Sequence, residues 1–289
     1  MKQHAATNSL ERGLAILRLI GGKRGGLTNG EISRELGIPK STCSYILSRL
    51  SREGYVTKQS VTARFRIGLQ TLVLAHDALR ELGFHAVAEP ALYRLSEETG
   101  LAAVLAALEG DRCLTIDRVE SPEFMKDFAE RGRSLWTYYP PRELRSVGAE
   151  FPSYATSFGR VLLAYLPRQE MLAMLDRIEI KKLTPYTVTD QKELLEQLAQ
   201  VREQGYSLVD RQSHEDTRGL AVPLFGSDGM ARGAVAVGGS RTMAVFDDQS
   251  RLIKLLKEAA GEISKRIARP LRLETDLKPV LVGSTKQRT

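Results

Sequence analysis

The chain has 289 residues, of which 42 are Lys or Arg and 35 are Asp or Glu, and 42% are hydrophobic. That length exceeds what one compact core needs, so two domains are expected, and the composition excludes a disordered chain. The apolar runs, Leu101 to Leu108 among them, are far too short to span a bilayer, so no membrane partner is expected. The polar first residues lack the apolar stretch of a secretory signal. Cys43 and Cys113 stand apart without a CxxC pair, which points to a reducing cytoplasm and away from structural zinc. His4, His76, His85 and His214 are nowhere at ligand spacing from one another, so neither a metal nor a cofactor is expected.

The net charge of +7 is unevenly placed. Residues 1–85 hold 13 basic and six acidic side chains, whereas the other 204 residues hold 29 of each. A basic segment on a neutral body suits a polyanion, nucleic acid before membrane; an ordinary solvated basic surface is the plainer alternative.

In chain order, the apolar residues of Leu10 to Ile20 recur at helical spacing, with Ser9 as the expected N-cap and Gly21-Gly22 as the stop. Gly21 to Gly26 is glycine-rich but lacks the GxxxxGK[ST] order and follows no strand, so it reads as a loop. Thr28 caps a short helix from Asn29 to Leu36, which Gly37 ends. Pro39 then opens a third helix from Lys40 through Leu50 towards Glu53. Ile46, Leu47 and Leu50 form its apolar stripe. Lys40, Ser41, Thr42, Ser44, Tyr45 and Arg49 lie on the open side. After Gly54, Tyr55 to Thr57 and Arg64 to Ile67 read as two short strands.

Helix, short helix, glycine turn, helix and hairpin is the order of a winged helix-turn-helix. A helix enters the major groove when short polar or basic groups line its exposed face. The expected contacts to double-stranded DNA are Thr28, Pro39, Lys40, Ser41, Thr42, Ser44, Tyr45 and Arg49, with Lys58, Arg64 and Arg66 reaching flanking phosphates. A small packing module built from the same elements is the alternative. Leu69 to Gly83 follows as a linker helix whose Leu69, Leu72, Val73, Ala75, Leu79 and Leu82 can pair two chains, with His76 at its surface.

Beyond Ala86 the pattern changes. A helix from Leu92 to Thr99 leads into strands Ala102–Leu108 and Cys113–Val119, turned at Gly110-Asp111. Residues 121–150 read as irregular. Helices are expected at Phe158–Leu166, Arg168–Asp176 and Gln191–Glu203, strands at Tyr206–Val209, Gly219–Phe225 and Ala231–Val237, and a last helix at Asp248–Arg269. Separate helices with antiparallel hairpins make this an α+β sensor-like domain. The expected division is 1–68 for DNA binding, 69–84 as linker helix, 85–270 as effector domain and 271–289 as a loose tail.

Four segments in order carry a family resemblance: SLERGLAILRLI; LTNGEISRELGIPKSTCSYILSRLSREGYV with RFRIG; EGDRCLTIDRVES; and FPSYATSFGRVLLAYLP with EQGYSLVDRQSHEDTRGLAVPLF. The chain resembles the IclR-type bacterial transcriptional regulators over about residues 8–268. The resemblance implies a winged helix-turn-helix, a linker helix and a GAF-like domain of antiparallel strands that binds a small-molecule effector. It also implies dimers, or dimers of dimers, on palindromic operators near catabolic genes. The implied pocket includes the backbone amides of Ser157 and Phe158, and the positions Val209 or Asp210, Gly219, Ala236 and Gly238. Members that bind small keto acids carry Asp, Cys or Ser at several of these positions, so this chain departs from that pattern. A stretch of roughly twenty residues, 123–145, is interposed where the family passes quickly. Phe124, Phe128, Trp136, Tyr138, Tyr139, Phe151, Tyr154 and Phe158 fall within 35 positions around it. They form either the core under a longer loop or the lid of a pocket for an aromatic or otherwise bulky ligand, with Trp136, Tyr138, Phe151 and Tyr154 as its walls.

Catalysis finds little support. His214-Glu215-Asp216 is the one dense polar triplet and lacks HExxH spacing, and Ser157 before Gly159 is no G-x-S-x-G elbow. A non-enzymatic regulator is therefore expected. A GAF-like binding scaffold without DNA contact is the alternative, disfavoured by Lys40, Arg49, Arg64 and Arg66.

Overall fold

Helix α1 (Ser9–Gly21) starts one residue earlier than its apolar pattern suggests, because Asn8 and not Ser9 is the cap. Asn8 Oδ1 accepts from the Glu11 amide at 2.9 Å while the Glu11 carboxylate accepts from the Asn8 amide at 3.3 Å, a reciprocal capping box. Ser and Asn are equally good caps, which is why the sequence could not choose between them. Thr28 and Glu31 make the same box for α2 (Asn29–Leu36), and Gly37 ends that helix at φ +64°. α3 (Lys40–Arg52) follows Pro39, and β1 (Val56–Lys58) pairs antiparallel with β2 (Phe65–Ile67). Ile16, Ile20, Ile32, Cys43, Leu47 and Val56 form the core of this unit.

The computed structural model describes residues 8–82, 85–120, 126 and 147–267. α4 (Gln70–Leu82) leaves Leu72, Val73 and Leu74 exposed, with His76 at the surface as expected. α5 (His85–Thr99) begins seven residues before the expected Leu92. Pro90, a residue that disfavours a helix interior, sits inside this one, and the residues Ala91, Leu92 and Leu95 that follow it are buried.

The second domain is built on one antiparallel sheet of six strands in the order β5-β4-β3-β8-β7-β6. These are β3 (Ala102–Glu109), β4 (Arg112–Val119), β5 (Glu150–Pro152), β6 (Ser207–Asp210), β7 (Thr217–Phe225) and β8 (Ala231–Ser240). β5 starts at the last residue of the stretch 121–150 that reads as irregular, and the sequence pattern does not foresee it, since three residues carry no alternation to detect. β8 runs on through Gly238 and Gly239, residues that weaken a strand pattern.

Alternation along the strands gives the sheet two apolar faces. On one, Leu105, Leu220, Val222 and Val235 pack under α5 and α9 (Gln249–Ile267). The other face carries Val104, Ala106, Ala221, Ala234 and Ala236 beneath α6 (Ser157–Tyr165), α7 (Arg168–Leu175) and α8 (Gln191–Gln204). Small side chains on this second face bring α6 close to the strands, and its N-terminus reaches the sheet surface near Gly219. Among the described residues no helix is long and apolar enough to cross a membrane. The expected tail and the end of the last helix at Arg269 lie outside the described residues.

Candidate functional site

Two places carry chemistry. The first is the outer face of α3, where Lys40, Ser41, Ser44, Tyr45 and Arg49 are exposed and Thr42 is half-buried. The Arg49 guanidinium lies 5.2 Å from the Tyr45 ring centre, so the two form one platform a helical turn apart. Pro39 is exposed at the start of the helix, and Ser48, which the sequence reading omitted, is exposed as well.

The hairpin cations divide. Lys58 and Arg66 are exposed, with Lys58 Nζ over the Phe65 ring at 5.7 Å and Arg66 Nε donating to Gly25 O at 3.4 Å. Arg64 departs from its expected role at the phosphates. Its Nη1 donates to Gly26 O at 2.7 Å and to Glu31 Oε2 at 3.1 Å, and its Nη2 donates to Glu31 Oε1 at 2.9 Å. Thr28 is held by the same group, donating its hydroxyl to Glu31 Oε2 at 3.0 Å. The Thr28 amide and hydroxyl, then Arg64, hold the Glu31 carboxyl below the usual range. Arg64 thus ties the wing to α2 through a fork-to-fork pair.

The second place is a cavity of about 110 Å³ between the N-terminus of α6, the sheet and the loop after β6. Val104, Val209, Gly219, Ala236 and Gly238 lie side by side across four strands to make its floor. Thr156 caps α6, its hydroxyl oxygen accepting from the Gly159 amide at 3.2 Å and its carbonyl from Arg160 N at 3.0 Å. The amides of Ser157 and Phe158 are the first two of the helix, and such amides have no intrahelical acceptor. The positive end of the helix thus stands beside the cavity. Gly159 lets the chain turn there, because a Cβ on it would stand 2.3 Å from Ser153 O.

Polar groups rim the cavity. Arg118 pairs with Glu120 at 2.6 and 2.9 Å, and Arg218 pairs with Asp210 at 3.2 Å. The Nε of Arg218 is buried without a hydrogen-bond partner among the described residues. Ser213 and His214 add a hydroxyl and an imidazole, 3.4 Å apart. Phe151 meets Phe158 edge to face at 5.5 Å on the remaining side.

Of the residues expected in the pocket, Phe151, Ser157, Phe158, Val209, Gly219, Ala236 and Gly238 line this cavity. Tyr154 does not: it is buried elsewhere, its hydroxyl accepting from Lys181 N at 3.0 Å and donating to Lys181 O at 3.1 Å. Asp210 also lies off the lining, turned to Arg218 and Arg211. Burial acts to raise its carboxyl, but the hydrogen bond and charge of Arg218, aided by Arg211 and Arg241, hold it below the usual range. Trp136 and Tyr138, with the whole of 123–145, lie outside the described residues. Thr156, Arg118, Ser213, His214 and Arg218 are additions to the reading; only the dense triplet at His214 was visible beforehand. No group of His, Cys, Asp and Glu suited to a metal ion occurs among the described residues.

Comparison with known proteins adds to this geometry. The family model of the C-terminal domain of IclR bacterial transcriptional regulators matches residues 76–265, and that of the IclR helix-turn-helix domain matches residues 9–60. The Pca regulon regulatory protein of Pseudomonas putida is 31% identical over 79% of this chain and 73% of its own. A crystal structure of a transcriptional regulator from Rhodococcus sp. RHA1, 28% identical, aligns with a TM-score of 0.73 over 90% of this chain and 98% of its own. An IclR homologue from Microbacterium hydrocarbonoxydans, crystallised with 4-hydroxybenzoate, shares the fold at 22% identity, with a TM-score of 0.72 over 90% of this chain and 99% of its own.

Proposed function

Because the chain belongs to the IclR family of DNA-binding transcriptional regulators with a C-terminal effector-binding domain, we propose that its effector is a single-ring aromatic acid. The observation that carries this is the α6 terminus: the first two amides of the helix, which have no intrahelical acceptor, stand beside a floor of Val, Ala and Gly. That positive end takes a carboxylate. The floor offers no side-chain hydrogen bond, so burial of apolar ligand surface, at about 25 cal/mol per Å², drives the rest. The cavity of about 110 Å³ limits the ligand to no more than one ring, being smaller than the roughly 150 Å³ dry cavity that takes benzene, so the carboxylate stands outside that volume at the α6 end. The test is calorimetric titration with benzoate, 4-hydroxybenzoate, pyruvate and glyoxylate. Tight binding of a keto acid with no heat from either aromatic overturns the reading.

At the other end, Lys40, Ser41, Thr42, Ser44, Tyr45 and Arg49 read base edges, while Lys58 and Arg66 contact phosphates of a palindromic operator. The protein acts in the cytoplasm as at least a dimer. Leu69, Leu72 and Leu74 of the linker and Leu10 of α1 are more than half exposed, an apolar surface suited to a second copy. Sedimentation that finds only monomer at micromolar concentration contradicts this assembly. The working division is residues 1–68 for DNA, 69–84 for the linker and 85–270 for the effector, with 271–289 as a tail.

A further inference from the structure

Arg160 of α6 is only 3% exposed and does not line the α6-terminal cavity, yet it is bonded to both sides of that cavity at one remove. Its Nε donates to Tyr154 O at 2.8 Å, two residues before Thr156, which opens the lip formed by Thr156, Ser157 and Phe158. Its Nη2 donates to Gln212 Oε1, and Gln212 directly precedes Ser213 and His214, which form the opposite lip. The third bond, from Nη1 to Gln197 Oε1, reaches α8 and neither lip. A guanidinium is a planar fork, so bonds from Nε and Nη2 fix the direction as well as the distance of their acceptors. No carboxylate pairs with Arg160 among the described residues; burial pulls its pKa down to about 10, which leaves it charged near neutral pH.

The second lip is held from outside at several points. Gln212 Oε1 also accepts from Val188 N at 3.4 Å, and Gln212 O accepts from the Thr187 hydroxyl at 2.7 Å. Thr184 Oγ1 donates to Arg211 O at 2.6 Å. Arg211 itself adopts the left-handed backbone at φ +58°, a conformation that costs a residue with a Cβ about 1–2 kcal/mol. Such strain persists where the surroundings over-determine it, and it clusters at ligand clamps. The first lip leans on the same segment, because the Tyr154 hydroxyl bonds the backbone of Lys181. Two struts therefore join the lips: the segment 181–188 along the outside, and the Arg160 guanidinium within.

Taking the α6-terminal cavity as the effector site, we infer that Arg160 is a positioning residue that sets the spacing of its two lips and, through Gln212, the size of ligand it admits. The guanidinium touches no ligand. It holds the chain that leads into the α6 amides in register with the chain that carries Ser213 and His214. A loosened Gln212 lets the second lip move outward, which favours a two-ring acid that the closed cavity excludes. Gln197 provides the internal comparison, since it accepts from the same guanidinium but belongs to neither lip.

The test compares Gln212→Met with Gln197→Met in the full chain, each of which takes one acceptor from Arg160 with little change of side-chain volume. Both are expected to lower the melting temperature. Amide exchange, which reports local opening, is read on the peptide covering 211–217, where the Arg211 and Thr217 amides donate to Thr217 O and His214 O at 2.8 and 3.3 Å. Exchange there is expected to quicken about tenfold in Gln212→Met, the effect of one hydrogen bond to a charged group, and to stay at the parent rate in Gln197→Met. Calorimetry with benzoate and 2-naphthoate should show the preference for the single ring falling about tenfold in Gln212→Met and unchanged in Gln197→Met. Gln212→Glu keeps the acceptor and should retain the parent's exchange and preference. The proposal is overturned if exchange over 211–217 in Gln212→Met matches the parent, if Gln197→Met alters it equally, or if parent and Gln212→Met bind the two acids in the same ratio. Failure of either acid to bind the parent counts against the aromatic effector, and the exchange comparison then decides the role of Arg160 by itself.

Discussion

Gly219 offers the sharpest test of the α6-terminal cavity. A Cβ on this residue would stand 3.0 Å from Ser157 Oγ and 3.6 Å from Val237 O, so Gly219→Ala crowds the first residue of α6 without touching the wing. A methyl takes about the volume of a water, roughly 30 Å³, out of a cavity of about 110 Å³. Both the lost volume and the displaced Ser157 act on the ligand. Overpacking of this kind costs about 1–3 kcal/mol, which is a five- to hundredfold loss of affinity at about 1.4 kcal/mol per decade. Gly238 is the internal control, because a Cβ there meets only Arg218 O at 3.6 Å, an ordinary contact. Calorimetry with 4-hydroxybenzoate should show the loss in Gly219→Ala and a smaller one in Gly238→Ala. Gel shifts without ligand should be unchanged in both. Equal affinities for parent and Gly219→Ala would refute the assignment of this cavity.

Other expectations follow from the same geometry. Lys58→Ala and Arg66→Ala should each reduce the slope of log affinity against log salt by about 0.9, as loss of one phosphate contact does. Arg64→Ala should leave that slope alone and lower the melting temperature of the wing instead, since its guanidinium is held by Glu31 and Gly26. The depressed Glu31 carboxyl contributes stability that is complete above the ordinary glutamate value and is lost as pH falls through its lower folded value. Melts taken from about pH 6 to about pH 3 should therefore fall less steeply in Glu31→Gln than in the parent. Cys43 and Cys113 are both buried with their thiols pushed up by burial, so a thiol reagent should modify neither in the native protein near pH 8 and both in denaturant.

The DNA-binding half is legible in sequence because its determinants are local. Thr28, Gly37, Pro39 and Gly54 punctuate helices whose apolar stripes repeat at the helical period, and the charge excess falls on the same residues. What escaped is non-local. Arg64 reads as a free cation until the fold brings it to Glu31, 33 residues earlier. The cavity floor was accessible only through the family resemblance, which also proposed Asp210 next to Val209. A strand alternates its faces, so the two cannot both look into one cavity, and Val209 is the one that does. The cations on the rim were invisible for a different reason. Arg118 on β4 and Arg218 on β7 border one cavity only because β3 and β8, which lie between their strands, carry part of its floor, a sheet order that no local pattern encodes.

How the cavity communicates with the linker can be argued from one close approach. Gly238 and Gly239 both border the cavity, and Gly238 pairs with Ala102 at the start of β3. A Cβ on Gly239 would stand 2.7 Å from Leu101 Cδ2 and 3.0 Å from Met243 Sδ, on the face of the sheet away from Gly219. Leu101 is fully buried and follows Gly100, which ends α5 at φ +67°. The strand that lines the cavity thus packs directly on Leu101, the residue next to the glycine that ends the helix after α4. Gly239→Ala should push Leu101 and Met243 aside at a cost of about 1–3 kcal/mol in stability, with its methyl outside the cavity. Coupling is a difference in ligand affinity between two arrangements, so a variant can retain the ligand and lose the response. Calorimetry on Gly239→Ala should give an affinity for 4-hydroxybenzoate close to that of the parent. Gel shifts with and without the acid should give operator affinities that no longer differ. An undiminished response to the acid in this variant would remove Leu101 from the route.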